Sequence, residues 1–341
     1  MKAVFTACIL LAACACPAAS GIIGLERIAI SGAEYVRVGD WADKDDLKMV
    51  WRRKDEPILV TNQSASVRLT PESLKAQING VNVSLSLPVI NRNGVPWISL
   101  ADVQKTFQPI LFPQKSPARV HTICLDPGHG GTDPGARDGE HSEKQYTLLL
   151  ARTVEKLLQA EGFKVVLTRT NDVYVELSPR PALAAKAGAD LFVSLHYNSS
   201  VLPSLRGVEV HCMAPAGMKS SNGGSGTGAE IVNPGNASDD RNILLAYEVL
   251  KSITASLPLD DIEVKHSHLL VLREARMPAI LIEGGFMSDP QDAKKIYDSD
   301  FRERMARSIV EGILAYKKAV EEAEIGSLRL PARPSPAQGR N

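Results

Sequence analysis

No charge of either sign is in excess: 39 Lys and Arg stand against 39 Asp and Glu, a net charge of zero at pH 7. Without a basic surplus there is no electrostatic footprint for a phosphate backbone, so nucleic acid is not an expected partner. Cysteine is also scarce. Of the 5 present, Cys8, Cys14 and Cys16 crowd the N-terminus, and Cys124 and Cys212 each sit in an apolar, strand-like run. No spacing suits a thiolate zinc site, and the last two read as buried free thiols rather than a bridge. A membrane-spanning segment is missing too, because the early apolar run from Ala3 to Ala13 is too short.

What that early run does resemble is a secretory leader: one Lys, an apolar segment, then small residues, over residues 1–20. The mature protein is therefore expected outside the cytoplasm, in the periplasm or cell envelope. Two endings stay open. Leu11-Ala-Ala-Cys14 has the form of a lipobox, which would make Cys14 a lipid anchor to the membrane; ordinary cleavage near Ala18 to Ser20 would discard it.

Residues 21–116 form short β-like runs broken by Gly, Asn and Pro: Tyr35 to Val38, Ile58 to Thr61, Ser66 to Leu69, Lys75 to Ile78 and Val81 to Leu87, with Asn79-Gly80 as a hairpin signal. A small β-rich module is expected, ending in a Pro-containing linker after Phe107. It resembles β-rich domains appended to bacterial envelope enzymes. Contact with the cell wall or a regulatory protein is one role for it; a folding and spacing unit without a ligand is the other.

From residue 117 to 322 the pattern changes to strand then helix, repeated. Val120 to Leu125, Phe163 to Thr168, Leu191 to Leu195, Gly207 to Met213 and Ala279 to Ile282 read as strands. Helices are expected from a capping box at Ser142 and Gln145, from Ser178-Pro179, from about Asp240 to Leu257, and from about Phe301 to Val320. The fold class implied is α/β, a mainly parallel sheet flanked by helices and preceded by the small β-rich domain. The tail, residues 323–341, carries Pro331, Pro334 and Pro336 and is expected to be disordered.

In such sheets ligands gather beyond the carboxyl ends of strands. Four polar residues fall there: His129 in a glycine loop, Glu143 at a helix start, and His196 and Glu283 directly after buried strands. Each has a plainer reading alone, as a turn residue, a helix-favouring acid, a hydrogen-bonded core histidine or a buried ion. Together, two imidazoles and a carboxylate form the donor set of a hydrolytic zinc site with one position open, and a second carboxylate could move protons. Pro127 is expected to end its strand, and Gly130 and Gly131 to leave room for substrate. Asp126 reads as a partner of His129 or a turn cap, and Arg180 as the partner of a structural acid or, as the second choice, of a substrate carboxylate.

These residues lie in Leu125-Asp-Pro-Gly-His-Gly-Gly-Thr-Asp-Pro-Gly-Ala136, Glu143-Lys144, Ala189-Asp-Leu-Phe-Val-Ser-Leu-His-Tyr-Asn198, Gly207-Val-Glu-Val210 and Met277-Pro-Ala-Ile-Leu-Ile-Glu-Gly-Gly-Phe286. In that order, residues 121–317 resemble the zinc-dependent N-acetylmuramoyl-L-alanine amidases of bacterial cell walls. The resemblance implies Zn2+ on His129, Glu143 and His196, Glu283 as catalytic carboxylate, and peptidoglycan as substrate. Gly284 and Asp289 depart from the usual pattern without removing a ligand, and the Gly- and Ser-rich stretch from Ala214 to Asn236 reads as a flexible rim loop. A zinc peptidase or other envelope amidohydrolase would use the same metal logic; a non-catalytic wall binder would need one of the four residues lost.

Overall fold

The computed structural model describes residues 24–53, 56–116, 119–202, 204–221 and 231–322. The expected leader with Cys14, residues 222–230 of the glycine-rich stretch and the C-terminal tail lie outside them. Six strands carry the α/β half: β1 (Thr122–Pro127), β2 (Lys164–Leu167), β3 (Leu191–Asn198), β4 (Val208–Met213), β5 (Asp261–Ser267) and β6 (Ala279–Phe286). Their order is β2-β1-β3-β6-β4-β5, parallel throughout except for the antiparallel β6–β4 pair. The buried run Leu191 to Leu195 is apolar but for Ser194, as a strand covered on both faces requires.

Among the described residues, five helices of eight residues or more flank this half: α1 (Glu143–Ala160), α2 (Pro179–Lys186), α3 (Asp239–Ser256), α4 (Pro290–Tyr297) and α5 (Ser299–Glu322). On α1, Tyr146, Leu150, Val154 and Leu158 recur at one-turn spacing and are buried. The expected capping box does not form, since Ser142 makes no side-chain cap bond. The loop supplies carbonyls instead: Glu143 N donates to Ala136 O at 2.9 Å and Lys144 N to Pro134 O at 3.1 Å. Strand β5 and helix α4 were not singled out in the sequence, because β5 mixes four charged or titratable residues into seven and α4 is short.

Pro127 ends its strand, as expected, and is itself the last paired residue, opposite Leu195. At the last position the missing N–H costs nothing, because Gly128 N makes the next bond to Leu195 O at 3.0 Å. The N-terminal region is β-rich, and the Asn79-Gly80 turn has φ of 47° and 90°, as a tight hairpin demands. It is not set apart from the α/β half. Its strand Val81–Ser84 pairs with the edge of β5 at Val83 and Val264, and four further antiparallel strands extend the sheet to eleven. Ser84 Oγ donates to Glu263 at 2.7 Å, Asn82 N to Asp261 at 2.9 Å, and Val83, Leu125 and Val249 belong to one apolar core. The exposed edge that β5 would otherwise present is thereby covered.

The linker expectation also needs correction, for Leu100 to Leu111 is helical and packed. Val103, Phe107 and Ile110 are buried on one face, and Phe107 lies 5.0 Å from the Trp41 ring. The apolar spacing outweighs Pro109, which sits in a first helical turn where its missing N–H is tolerated. Among the described residues no helix is long and apolar enough to cross a membrane. Cys124 and Cys212 are buried free thiols.

Candidate metal centre

The carboxyl ends of β1, β3 and β6 and the start of α1 meet at one point. The chain leaves β1 through Gly128 into His129, which has a φ of 60°, and the short hairpin Arg137–Asp138/His141–Ser142 returns it to Glu143. His129 Nε2 lies 3.0 Å from Glu143 Oε2, and His196 Nδ1 lies 2.9 Å from Glu143 Oε1. One ligand atom from each of the three falls within 4.8 Å of the others. Glu143 also accepts from Ala136 N at 2.9 Å and Tyr197 N at 3.0 Å. Burial pushes its pKa up, yet the hydrogen bonds and charges of His129 and His196 win and hold it well below the usual carboxylate range. For His129, burial works downward and is overcome by Glu143 and Asp133, leaving it raised.

The structure places Glu283 at the same point, side by side with His196 across the β3–β6 pair. It is half-buried, but its Oε2 is shut from solvent and has no hydrogen-bond partner. Burial first, then the charges of Glu143 and Glu209, raise its pKa well above normal against the pull of Lys265. All four residues line one cleft of about 380 Å³, whose lining also includes the apolar Leu177, Leu269, Leu270 and Leu281.

Sequence reasoning missed the partner of His129. Asp133 Oδ2 lies 2.8 Å from His129 Nδ1, four residues on in the same loop, which fixes the ring and leaves Nε2 facing the cluster. Asp126 does neither thing expected of it: it is fully buried, paired with Arg180 Nη1 at 2.9 Å, and accepts from Thr168 Oγ1 at 2.6 Å and Ser194 Oγ at 2.7 Å. Arg180 thus finds its structural acid. His141, two residues before Glu143, is not among the clustered ligand atoms: its Nδ1 lies 2.6 Å from Tyr146 Oη and its ring is stacked on Tyr297 at 3.9 Å.

Gly130 and Gly131 do not make room for substrate either. A Cβ on them would strike Val173 O at 2.2 Å and Tyr174 N at 2.5 Å, so their bareness serves the chain's own packing. The cluster needs Gly128, where a Cβ would lie 2.2 Å from His196 Cε1, and Gly135, at φ 65°, where a Cβ would lie 2.5 Å from Glu143 Oε2 and 2.6 Å from His129 Cδ2. Gly135→Ala is accordingly expected to weaken metal affinity by 10-fold or more, on the order of a lost outer-shell contact. Competition against a chelating dye measures it; affinity within twofold of wild type would refute the steric argument.

Two imidazoles and one carboxylate converge with a carboxyl oxygen left unpartnered beside them, and this donor set fits a divalent metal with borderline-soft preferences. An α/β sheet with such a cluster beyond its strand ends defines a candidate metal-dependent hydrolase. Residues 123–315 match the family described as N-acetylmuramoyl-L-alanine amidase, and the chain belongs to that family. It is 34% identical over 221 residues to N-acetylmuramoyl-L-alanine amidase AmiC of Neisseria meningitidis serogroup B, a match covering 58% of this chain and 53% of that one. It therefore spans about half the length of that relative. The probable cell wall amidase LytH of Staphylococcus saprophyticus is 27% identical over 278 residues, covering 77% of this chain and 85% of its own. The solved structure of amidase AmiC2 of Nostoc punctiforme is 30% identical, with a TM-score of 0.49 over 58% of this chain and 98% of that one.

Proposed function

We propose that the chain is a zinc-dependent N-acetylmuramoyl-L-alanine amidase, hydrolysing the amide between the lactyl group of N-acetylmuramic acid and the first L-alanine of the peptidoglycan stem. The observation that carries the reading is the convergence of His129, Glu143 and His196 within 4.8 Å, with the unpartnered Glu283 Oε2 on the same cleft. Zinc on the three ligands would supply Lewis acidity, polarising an amide carbonyl and easing the loss of a proton from water.

The protein's own residues do the rest. Asp133 holds the Nδ1 proton of His129, so the ring offers Nε2 as a ligand. Tyr197 N and Ala136 N fix the Glu143 carboxylate against rotation. Glu283 takes the proton of the attacking water at Oε2 and delivers it to the leaving nitrogen, and its raised proton affinity suits the second task. The apolar side chains of Leu177, Leu269 and Leu270 shed water beside the scissile bond.

In this reading residues 1–20 direct export to the periplasm or cell envelope, and Cys14 anchors the protein if it is lipidated. Residues 21–116 brace the catalytic part, 117–322, and offer a surface to the wall or to a regulatory protein. Digestion of purified peptidoglycan tests the activity. Free stem peptide, with the glycan strand intact, is the expected product, and a chelator is expected to abolish its release. Cleavage within the stem peptide, or full activity after chelation, would overturn the assignment.

A further inference from the structure

The motif around His196 ends at Asn198, to which the chemistry above gives no task. There β3 and β6 lose register: His196 pairs with Glu283 but Asn198 with Phe286, so β6 spends three residues where β3 spends two. The extra residue falls at Gly284-Gly285, where Gly285 has a φ of 129°. Bulges of this kind re-aim side chains beside active sites. Asn198 lines the same cleft as His129, His196 and Glu283.

Its amide is anchored through both its nitrogen and its oxygen. Nδ2 donates to Glu209 Oε1 at 2.8 Å, and Oδ1 accepts from Ser199 N at 2.8 Å. Glu209 is 4% exposed and stands opposite Glu283 on the neighbouring antiparallel strand. Its Oε1 also meets His211 Nε2 at 3.2 Å, its Oε2 meets Lys265 Nζ, and His211 Nδ1 continues to Ser267 Oγ at 2.8 Å. An ionised carboxylate only accepts, and burial of Glu209 is outweighed by His211 and Lys265, which keep its pKa lowered. The nitrogen of Asn198, not its oxygen, must therefore face Glu209, which decides the amide orientation. Glu209 takes one of the two Nδ2 hydrogens. Among the described residues no acceptor takes the other.

We propose that Asn198 is a substrate-binding residue that donates its second Nδ2–H to an acyl oxygen of the muramyl-peptide, and that Glu209 is the positioning residue that aims it. The inference rests on the cleft being a peptidoglycan amidase site. A fixed donor in a cleft otherwise lined by apolar side chains such as Leu177, Leu269 and Leu270 is the kind of placed polar group by which pockets orient a ligand. The charge on Glu209 strengthens the anchoring bond, and Lys265 offsets that charge within the sheet.

The test is the affinity of a soluble disaccharide-peptide fragment of peptidoglycan, measured by calorimetry on zinc-loaded protein in a Glu283→Gln background that does not consume it. Asn198→Ala is expected to weaken binding about tenfold, the scale of one lost hydrogen bond, with zinc content and Tm unchanged. Asn198→Ser, which keeps a short donor, is expected to fall between. Glu209→Gln alone should weaken binding, and in the Asn198→Ala background should add less than twofold. Asn198→Ala within twofold of its parent would overturn the binding role, and independent additive losses would overturn the positioning role. The chain with Glu283 intact, tested in parallel for stem-peptide release, separates the two levels: binding without release counts against the hydrolase reading while the Asn198 comparison still decides this one. Protein that binds no fragment overturns both.

Discussion

Glu283→Gln is expected to lower kcat on peptidoglycan by about 10²–10⁴-fold, the range of a lost general acid–base group, while zinc stays bound at wild-type stoichiometry. Glutamine preserves the shape and keeps one acceptor, but it cannot hold the transferable proton. The site makes the separation clean, because the ligand atoms all come from His129, Glu143 and His196 and none of the bonds that orient them involves Glu283. Relief of the buried, unpartnered Oε2 gives the variant a further signature. A carboxyl group crowded by Glu143 and Glu209 is a standing cost, so the neutral amide is expected to leave Tm unchanged or higher. Activity within tenfold of wild type would remove Glu283 from the chemistry, and a loss of zinc would show that it is a ligand instead.

Much of this site was legible without coordinates, for a physical reason. Strands buried on both faces announce themselves as apolar runs, and their ends are where a polar residue is conspicuous; His196 after Leu191 to Leu195 and Glu283 after Ala279 to Ile282 stand out on that ground alone. The element boundaries moved by a few residues, and the α/β sheet with its β-rich N-terminal region is as the alternation implied. What sequence hid were relations set by the fold. Asp126 and Asp133 are both near His129 in the chain, and only the loop's path shows that the nearer in number faces the core and the farther one the ring. Strand β5, with Asp261, Glu263, Lys265 and His266, looks like surface until Ser84 and Asn82 are seen to bond its acids and Val83 to cover its edge. Asn198 and Glu209 belong to different motifs and meet only because β6 lies between their strands.

Asp126→Ala is expected to cost roughly 3–5 kcal/mol, since it strands the Arg180 guanidinium in the core without its acid. At about 2–4 °C per kcal/mol this is a fall of roughly 6–20 °C in Tm. The hydroxyls of Thr168 and Ser194 lose their acceptor in the same step. Asp126→Leu with Arg180→Met removes both charges, and an apolar pair of similar volume commonly restores the stability that a broken buried pair loses. Full recovery is not expected, because the two hydroxyls remain unpaired. The double variant should show a second defect that stability does not report. Arg180 also donates to His129 O at 3.1 Å, Pro127 O at 3.1 Å and Val175 O at 2.7 Å, tying the ligand loop to the next loop along the cleft. Without those bonds the His129 loop keeps only Asp133, the Arg169 bonds to Pro127 O and Gly128 O, and the Asp172 and Lys144 bonds to Gly131, so zinc affinity should stay at least tenfold below wild type even as Tm partly recovers. Thermal melts and zinc titrations on the same preparations separate the two roles. If affinity returns together with Tm, the pair serves the core alone, and the loop that carries His129 needs no help from Arg180.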